Sequence, residues 1–272
     1  CVTRPTRRLS ASPKGWAVGT YNVSVDASGD DEIAALSRDS NSMVREVKLS
    51  ADLQQDLIAN VSHDLRTPLT LIKGYAETVR DLTGNDEEKR TAQMNVIVNE
   101  SDRLSALVGS VLELSRVSTG NEKLEPVRFD LAQLCDEVAY RYQSVATQNG
   151  GYDFLFSGED GSYVTGDPAM LERALHNLIG NAIKHVGEDG YVGLKVYRTQ
   201  VGTVRAEVSD HGAGIAPEDL GHIFERYYRA RSDAGKQGTG LGLSITRAIF
   251  EAHHYRYGVD TELGKGSMFW FE

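Results

Sequence analysis

Asn60-Val61-Ser62-His63-Asp64-Leu65-Arg66-Thr67-Pro68-Leu69 is the stretch that decides the fold of this region and its chemistry. Apolar residues around it recur in heptad register, which predicts a helix that packs against other helices. The two seams of this register contain Ile58, Leu65, Ile72 and Val79, and Val61, Pro68, Tyr75 and Leu82. His63 falls at an outward position, beside Asp64, whose carboxylate can accept a ring N–H. The pattern therefore predicts a solvent-facing histidine that can act as a nucleophile.

The alternative interpretation of His63 is an ordinary solvated surface histidine. Pro68 argues against it, because a proline inside a helix removes one backbone hydrogen bond, here the one to the carbonyl of Asp64, and costs roughly 3 kcal/mol. Packing alone does not require that residue. Thr67 lies one helical turn beyond His63, so we interpret the whole stretch as part of a functional site.

Composition limits the class of protein. The 272 residues are 40% hydrophobic and 25% charged, which describes a globular protein with room for two or three domains. The net charge of −10 gives no indication of nucleic-acid binding. Two cysteines, Cys1 and Cys135, are too few for a disulfide framework or a cysteine metal site. No run of eighteen apolar residues predicts a membrane span within this sequence.

The chain divides into three predicted blocks. Residues 1–50 contain a basic segment, an extended connector and a helix that opens at Asp30-Asp31-Glu32. Residues 51–120 form two long helices joined at Thr83-Gly84-Asn85-Asp86, with Gly84 as C-cap and the next helix starting at the Asn-Asp pair. One helical hairpin cannot bury its apolar stripe alone, so we expect a dimeric four-helix bundle.

Residues 121–272 combine helices and strands, which makes the chain an α+β multidomain protein. Asp130 and the pair Asp167-Pro168 are predicted to open two helices. Alternating segments predict an antiparallel sheet with helices on one face. The predicted strands are 192–198, 204–208, 255–260 and 267–271.

The helix predicted from Pro168 to Val186 has an apolar and a polar face. The polar face contains Asn177, Asn181, Lys184 and His185. Amide oxygens suit Mg²⁺ ligation, and the cations suit phosphate oxygens. The alternative is a solvated polar face without a ligand.

Two glycine clusters follow. In Asp210-His211-Gly212-Ala213-Gly214-Ile215 the glycines allow the backbone to approach a flat ligand, and Asp210 can accept the exocyclic amine of adenine. In Gly238-Thr239-Gly240-Leu241-Gly242-Leu243 the backbone N–H groups can hold phosphate oxygens. This second cluster is not the dinucleotide fingerprint, because its third glycine comes one residue early. Between the clusters, the box 224–229 leads into a segment, 232–237, that is predicted to be a mobile lid.

The order of these motifs resembles the GHKL ATP-binding fold, and the stretch around His63 resembles the phospho-acceptor box of bacterial sensor histidine kinases. The resemblance implies a HAMP-like signalling linker in residues 1–50 and a dimerisation and phospho-acceptor hairpin in residues 51–120. It implies an α/β-sandwich ATP-binding catalytic domain in residues 121–272.

The resemblance also implies the roles of individual residues. His63 would be autophosphorylated from ATP and would pass the phosphoryl group to an aspartate of a response regulator receiver domain. Asp64 would orient the ring, and Thr67 would position a water for a regulator phosphatase activity. Asn181 would hold Mg²⁺, and ATP would be bound by Asn177, Asn181, Lys184, His185, Asp210, Gly212, Gly214, Phe224, Arg226, Arg229, Gly238, Thr239, Gly240, Leu241 and Gly242.

The start of the chain resembles a HAMP linker most clearly at Asp31-Glu32-Ile33. Because such linkers normally follow a transmembrane helix, the resemblance implies the cytoplasmic portion of an inner (plasma) membrane protein, anchored by a preceding segment. Arg4, Arg7 and Arg8 would suit the cytoplasmic edge of that anchor. An unrelated amphipathic hairpin is the alternative. The expected partners are a second copy of the chain and a receiver domain, with no nucleic acid.

Two other functions stay open at this point. The chain could be a nucleotide-sensing scaffold that transfers no phosphate, or an ATPase clamp of the GHKL class, which would need no acceptor histidine. One departure from the resemblance concerns the turn after the last helix. Where the family often has a glycine pair, this chain has His253-His254-Tyr255-Arg256-Tyr257.

Overall fold

The computed structural model describes residues 32–118, 123–230 and 239–272. The predictions for the first part of the linker, for Gly238 and for the lid segment 232–237 lie outside these ranges. The chain divides into two compact units, Cys1–Arg66 and Thr67–Glu272. No helix among the described residues is long and apolar enough to cross a membrane.

Two long helices form the described N-terminal part. Helix α1 spans Glu32–Thr78 and runs through Pro68. A π-helical turn, Val79–Thr83, follows it, and helix α2 spans Glu87–Ser118. In the first unit, the apolar side chains of Leu36, Met43 and Val47 are exposed.

The turn between these helices has the caps that the sequence predicts. Asp86 opens α2 as expected, since its Oδ1 accepts the N–H of Lys89 at 3.1 Å. Gly84 is the C-cap of this first helical segment, as predicted, and its φ of −57° is right-handed, whereas glycines at helix ends are often left-handed. A Cβ at Gly84 would lie 2.9 Å from the carbonyl oxygen of Val79. The glycine is therefore needed for a close approach inside the π-helical turn.

The remainder of the second unit is a mixed α/β domain. Its helices are α3 (Leu131–Asn149), α4 (Pro168–Lys184) and α5 (Gly242–Ala252). Its strands are β1 (Val127–Asp130), β2 (Asp153–Gly158), β3 (Tyr163–Gly166), β4 (Tyr191–Arg198), β5 (Val204–Asp210), β6 (Tyr257–Glu262) and β7 (Gly266–Phe271). The main sheet has the order β2-β4-β5-β7-β6, and β1 pairs separately with β3.

The prediction of an all-antiparallel sheet is wrong at one edge. Strand β2 pairs with β4 in parallel, whereas the other neighbouring strands are antiparallel. Neither β2 nor the β1–β3 pair was predicted. In β2 only Phe154 is buried, so the strand lacks the alternation of apolar and polar residues that identifies a strand from sequence.

The core lies between one face of the sheet and the three helices. Alternate residues of the central strands point into it, such as Leu194 in β4, Val208 in β5 and Phe271 in β7. Phe271 stacks on Phe250 of α5 with ring centroids 4.6 Å apart. Each fully buried side chain of this size contributes roughly 1.5–3 kcal/mol. The predicted α+β class with an α/β-sandwich domain is confirmed.

Helix α2 also packs on this domain. It lies against α5, and its residues Leu107 and Leu114 are buried. The carboxylate of Glu113 in α2 lies 3.7 Å from the guanidinium of Arg173 in α4. The second helix of the hairpin is therefore joined to the α/β domain by apolar burial and an ion pair.

Candidate active site

A cavity of about 320 Å³ opens between α4, the end of β5 and the start of α5. Residues from all the described sequence motifs of this domain surround it. The predicted site residues that line it are Asn177, Asn181, Lys184, His185, Asp210, Gly214, Arg229, Thr239, Gly240 and Gly242. Motifs that are far apart in the sequence therefore form a single site.

Four predicted site residues lie outside the lining. Gly212 supports Asp210 by donating its N–H to Oδ1 at 2.8 Å. Phe224 packs edge-on against Tyr257, with ring centroids 5.3 Å apart, and against Phe269. Leu241 is fully buried, because it anchors the start of α5 in the core. The fourth is Arg226, which is partly exposed. A fifth predicted residue, Gly238, is not among the described residues.

Helix α4 presents the polar groups of the site. Asp167 caps its first turn by accepting the N–H groups of Ala169 and Met170, as predicted. Its apolar face is buried against the sheet, which turns Asn177 and Asn181 toward the cavity. Asn177 Nδ2 is buried and has no hydrogen-bond partner among the described residues. An unpaired buried donor costs about 1–3 kcal/mol, and a ligand with an acceptor atom would remove that cost.

Asp210 ends strand β5 at the bottom of the cavity and is only 5% exposed. Burial raises the pKa of its carboxyl group, while hydrogen bonds from the backbone of Gly212 and Ser267 act in the opposite direction. Apolar side chains lie nearby in the lining, including Ile215, Ile223 and Phe269. A hydrogen-bond acceptor within an apolar slot suits a flat heterocycle that carries an amine.

Two glycines of these clusters also have a structural role that the sequence did not suggest. Gly214 has a φ of +71°, and a Cβ there would lie 2.3 Å from the carbonyl oxygen of Glu262. Gly240 has a φ of +68°, and its Cβ would lie 2.9 Å from the Cα of Tyr227. Both positions therefore require glycine because the protein's own backbone passes close to them.

Several lining residues were not predicted. They are His176, Gly180, Ala213, Ile215, Ile223, Tyr228, Ala230, Leu243, Ser267 and Phe269. Ser267 and Phe269 reach the site because β7 pairs with β5, which places them opposite Asp210 and Val208. Such strand pairing has no local sequence signal. His176 had a usable signal, since it precedes Asn177 on the same helix.

The atypical turn after α5 fastens the beginning of α4. Nε2 of the buried His253 accepts the N–H of Asp167 at 2.9 Å, and its Nδ1 lies 2.7 Å from the carbonyl oxygen of Ile249. The hydroxyl of Tyr255 donates to the carbonyl of Thr165 at 2.9 Å. His254 adopts a left-handed φ of 57°, a conformation that histidine accepts more readily than most residues.

His63 lies on helix α1 with 78% of its side chain exposed. Its Nδ1 lies 3.3 Å from Oδ1 of Asp64. If Nδ1 carries the proton, it donates a hydrogen bond to the Asp64 carboxylate, and Nε2 keeps a free lone pair. Thr67 is exposed four residues farther along the same helix. The side chain of His63 is therefore solvent-facing, as predicted, and its role as a nucleophile stays a prediction.

Comparison with known families identifies both regions. The family model of the His Kinase A (phospho-acceptor) domain matches residues 53–120. The model of the histidine kinase-, DNA gyrase B- and HSP90-like ATPases matches residues 166–272. Together they cover well over half of the chain. The chain belongs to the two-component sensor histidine kinases.

Individual relatives agree with this assignment. The chain is 36% identical to drug sensory protein A of Synechocystis over 85% of its own length and 36% of the relative. The structure of the histidine kinase ThkA in complex with the response regulator protein TrrA is similar with a TM-score of 0.66 and 27% identity, covering 89% and 67% of the two chains. Full-length ShkA in complex with AMPPNP is similar with a TM-score of 0.56 and 30% identity, covering 80% and 45%. The chain spans less than half the length of the curated relatives it matches.

Proposed function

We propose that this chain transfers the γ-phosphoryl group of ATP to His63 and then to an aspartate of a response regulator. The observation that carries the proposal is the exposed His63 ring beside the Asp64 carboxylate, on a helix that the phospho-acceptor family model matches. The ThkA complex with a response regulator supports the second transfer by similarity.

ATP is the nucleotide that the cavity fits best. Asp210 would accept the exocyclic amine of adenine between apolar side chains. Lys184 and Arg229 line the same cavity and would offset phosphate charge. The unpaired Nδ2 of Asn177 is a donor for a phosphate oxygen. The AMPPNP complex of the similar kinase ShkA supports this part of the proposal.

Mg²⁺ would be held by the amide oxygen of Asn181. Within the described ranges, no three acidic, histidine or cysteine side chains are grouped to hold a metal on their own. A metal at this site would therefore share the phosphate oxygens of the nucleotide, which is the usual arrangement for Mg²⁺. When bound, the ion supplies charge neutralisation at the phosphates.

His63 is the proposed nucleophile. With its Nδ1 proton directed to Asp64, the Nε2 lone pair forms the N–P bond while the bond from the γ-phosphorus to the bridging oxygen breaks and ADP leaves. Asp64 then stabilises the positive ring through the Nδ1 proton. Thr67, one turn away, is proposed to position a water for dephosphorylation of the regulator.

A homodimer is the proposed assembly. Within the second unit the helical hairpin exposes large apolar side chains, namely Leu69, Leu71, Leu82, Met94, Val98, Val108 and Leu112. Exposed apolar side chains aligned along a helix indicate a partner surface. A second hairpin would complete a four-helix bundle. For residues 1–50 we keep the proposal of a HAMP-like linker on the cytoplasmic side of the plasma membrane, supported by the basic residues near Cys1.

The experiment that tests this function is incubation of the purified chain with γ-labelled ATP and Mg²⁺. We expect a protein-bound label that is lost in acid and retained in base, and that a receiver domain can remove. A scaffold would bind nucleotide without becoming labelled, and an ATPase clamp would release phosphate without a labelled intermediate. Either result would contradict the proposal.

A further inference from the structure

We propose that His211 is a positioning residue for adenine recognition, which holds Asp210 in place through a contact with Asp189 and Tyr191. This inference rests on the proposed function, because it assumes that Asp210 accepts the adenine amine. His211 does not line the cavity. Its effect on the nucleotide must therefore pass through its neighbour Asp210.

The side chain of His211 is held on two sides. Its Nδ1 lies 2.6 Å from Oδ2 of Asp189, and its ring stacks on Tyr191 with centroids 4.0 Å apart and planes 13° from parallel. Oδ1 of Asp189 accepts the N–H of Tyr191 at 3.1 Å. The three residues thus form one hydrogen-bonded and stacked group, which joins the loop after α4 to the loop after β5.

The backbones of these two loops lie so close together that neither Gly187 nor Gly212 has room for a Cβ. A Cβ on Gly187 would lie 2.1 Å from the carbonyl oxygen of His211, and a Cβ on Gly212 would lie 1.9 Å from that of His185. Gly212, on the other side of His211, donates the hydrogen bond that fixes Oδ1 of Asp210. A shift of the backbone at His211 therefore moves both Asp210 and its donor.

Stability alone does not explain the group. The side chains of His211 and Asp189 are about half exposed, and exposed ion pairs contribute little to the free energy of folding. The His211 hydrogen bond lowers the pKa of Asp189, so its carboxylate stays charged and keeps both of its contacts. Hydrogen-bond strength falls steeply with misalignment. A small displacement of Asp210 would therefore mainly weaken its hydrogen bond to the adenine amine.

The test measures equilibrium binding of two nucleotides, ATP and the purine riboside triphosphate that lacks only the 6-amino group. We expect the unmodified protein to prefer ATP. His211→Ala should reduce that preference by roughly three- to tenfold, the effect of a net hydrogen bond, with little change for the analogue. His211→Asn should restore the preference, because its side-chain N–H can donate to Asp189 from nearly the position of Nδ1. Asp189→Ala should behave like His211→Ala.

Four outcomes would overturn the inference. If His211→Ala weakens the binding of both nucleotides equally, His211 has a general structural role. The same conclusion follows if His211→Asn does not restore the preference for ATP. An unchanged preference in His211→Ala would mean that the contact positions nothing. If the unmodified protein binds both nucleotides equally, the proposed role of Asp210 fails and the inference falls with it. Thermal unfolding of each variant confirms that it is folded.

Discussion

Asp210 has a buried carboxyl group, and its protonation affects the stability of the fold. Burial raises the pKa of its carboxyl group above the ordinary value of 3.8. The folded state therefore binds this proton more readily than the unfolded state. The corresponding stabilisation is present below pH 3.8 and is lost as the pH rises through the raised pKa.

Asp210→Asn removes this titration. We expect the free energy of unfolding of the wild type, relative to the variant, to decrease as the pH rises from about 4 and then to level off. Urea unfolding of both proteins across this range measures the difference. The pH dependence of the difference is the informative quantity, because the substitution also changes hydrogen bonds by an amount that does not vary with pH. A difference independent of pH would contradict the buried, titrating carboxyl group.

Asn181 is the proposed protein ligand of Mg²⁺. Asn181→Ala should lose most of the Mg²⁺ dependence of ATP binding, because the proposed amide ligand is absent. Asn181→Asp is the matched control, since it keeps an oxygen at the same position. Titration of ATP binding with Mg²⁺ distinguishes the two variants. Undiminished Mg²⁺ dependence in the Ala variant would contradict the metal role.

The site residues that could be predicted from sequence are those whose signal is local. Asn181 was identifiable because it lies on a polar helix face, and Asp210 because it precedes two glycines. Ser267 and Phe269 were not identifiable, because only the pairing of β7 with β5 brings them to the cavity. The unpaired Nδ2 of Asn177 is likewise a property of tertiary packing.

At the scale of secondary structure, the contacts of the turn after α5 explain a departure that the sequence left open. The ring of Tyr255 is stacked nearly parallel to that of Phe271, with ring centroids 6.1 Å apart. Its hydroxyl reaches Thr165, two residues before the cap of α4. The turn therefore helps to fix the helix that carries Asn177 and Asn181.

Tyr255→Phe removes the hydrogen bond to Thr165 and keeps the stacked ring. We expect a loss of about 1 kcal/mol in the free energy of unfolding, the usual contribution of one hydrogen bond. Tyr140→Phe is the control, because Tyr140 is highly exposed and should change stability very little. Chemical denaturation of the two variants gives the comparison. If Tyr255→Phe and Tyr140→Phe have the same free energy of unfolding, the hydrogen bond of Tyr255 does not hold the turn.

Helices were more predictable than strands. Helices α3 and α4 begin at the residues indicated by Asp130 and Asp167, because capping is a local interaction. Strand β2 and its parallel pairing depend on contacts with the distant strand β4. Gly84 is the predicted C-cap, but the π-helical turn before it was not predicted, because such a turn has no simple sequence signature.

At the scale of the whole molecule, the exposed apolar residues of α2 test the proposed dimer. Val108→Glu places a charge on the proposed interface and should leave the single chain folded, because Val108 is exposed there. Ala106→Glu introduces the same charge on another, exposed side of the same helix. Sedimentation should show that the Val108→Glu variant is a monomer and that the Ala106→Glu variant remains a dimer. A dimer that survives Val108→Glu would mean that α2 does not form the interface through this residue.

The general architecture was predictable because a heptad pattern and an ordered set of motifs each occupy a long part of the chain. The packing of α2 on α5 could not be predicted from the sequence. The buried residues Leu107 and Leu114 belong to the same broad apolar stripe as the exposed Val108 and Leu112. Sequence shows that such a stripe is apolar. It does not show which part contacts the same chain and which part is left for a partner.

The central claim is that His63 is the residue that accepts phosphate from ATP. The most direct measurement is mass spectrometry of the chain after incubation with ATP and Mg²⁺ at neutral to basic pH, which keeps phosphohistidine intact. We compare the unmodified protein with His63→Gln and with His254→Asn, a control at an exposed histidine that keeps a residue tolerant of positive φ. We expect one phosphate on His63, its absence in His63→Gln with ATP affinity unchanged, and its retention in His254→Asn. Phosphate on another residue, or on the His63→Gln protein, would contradict this claim.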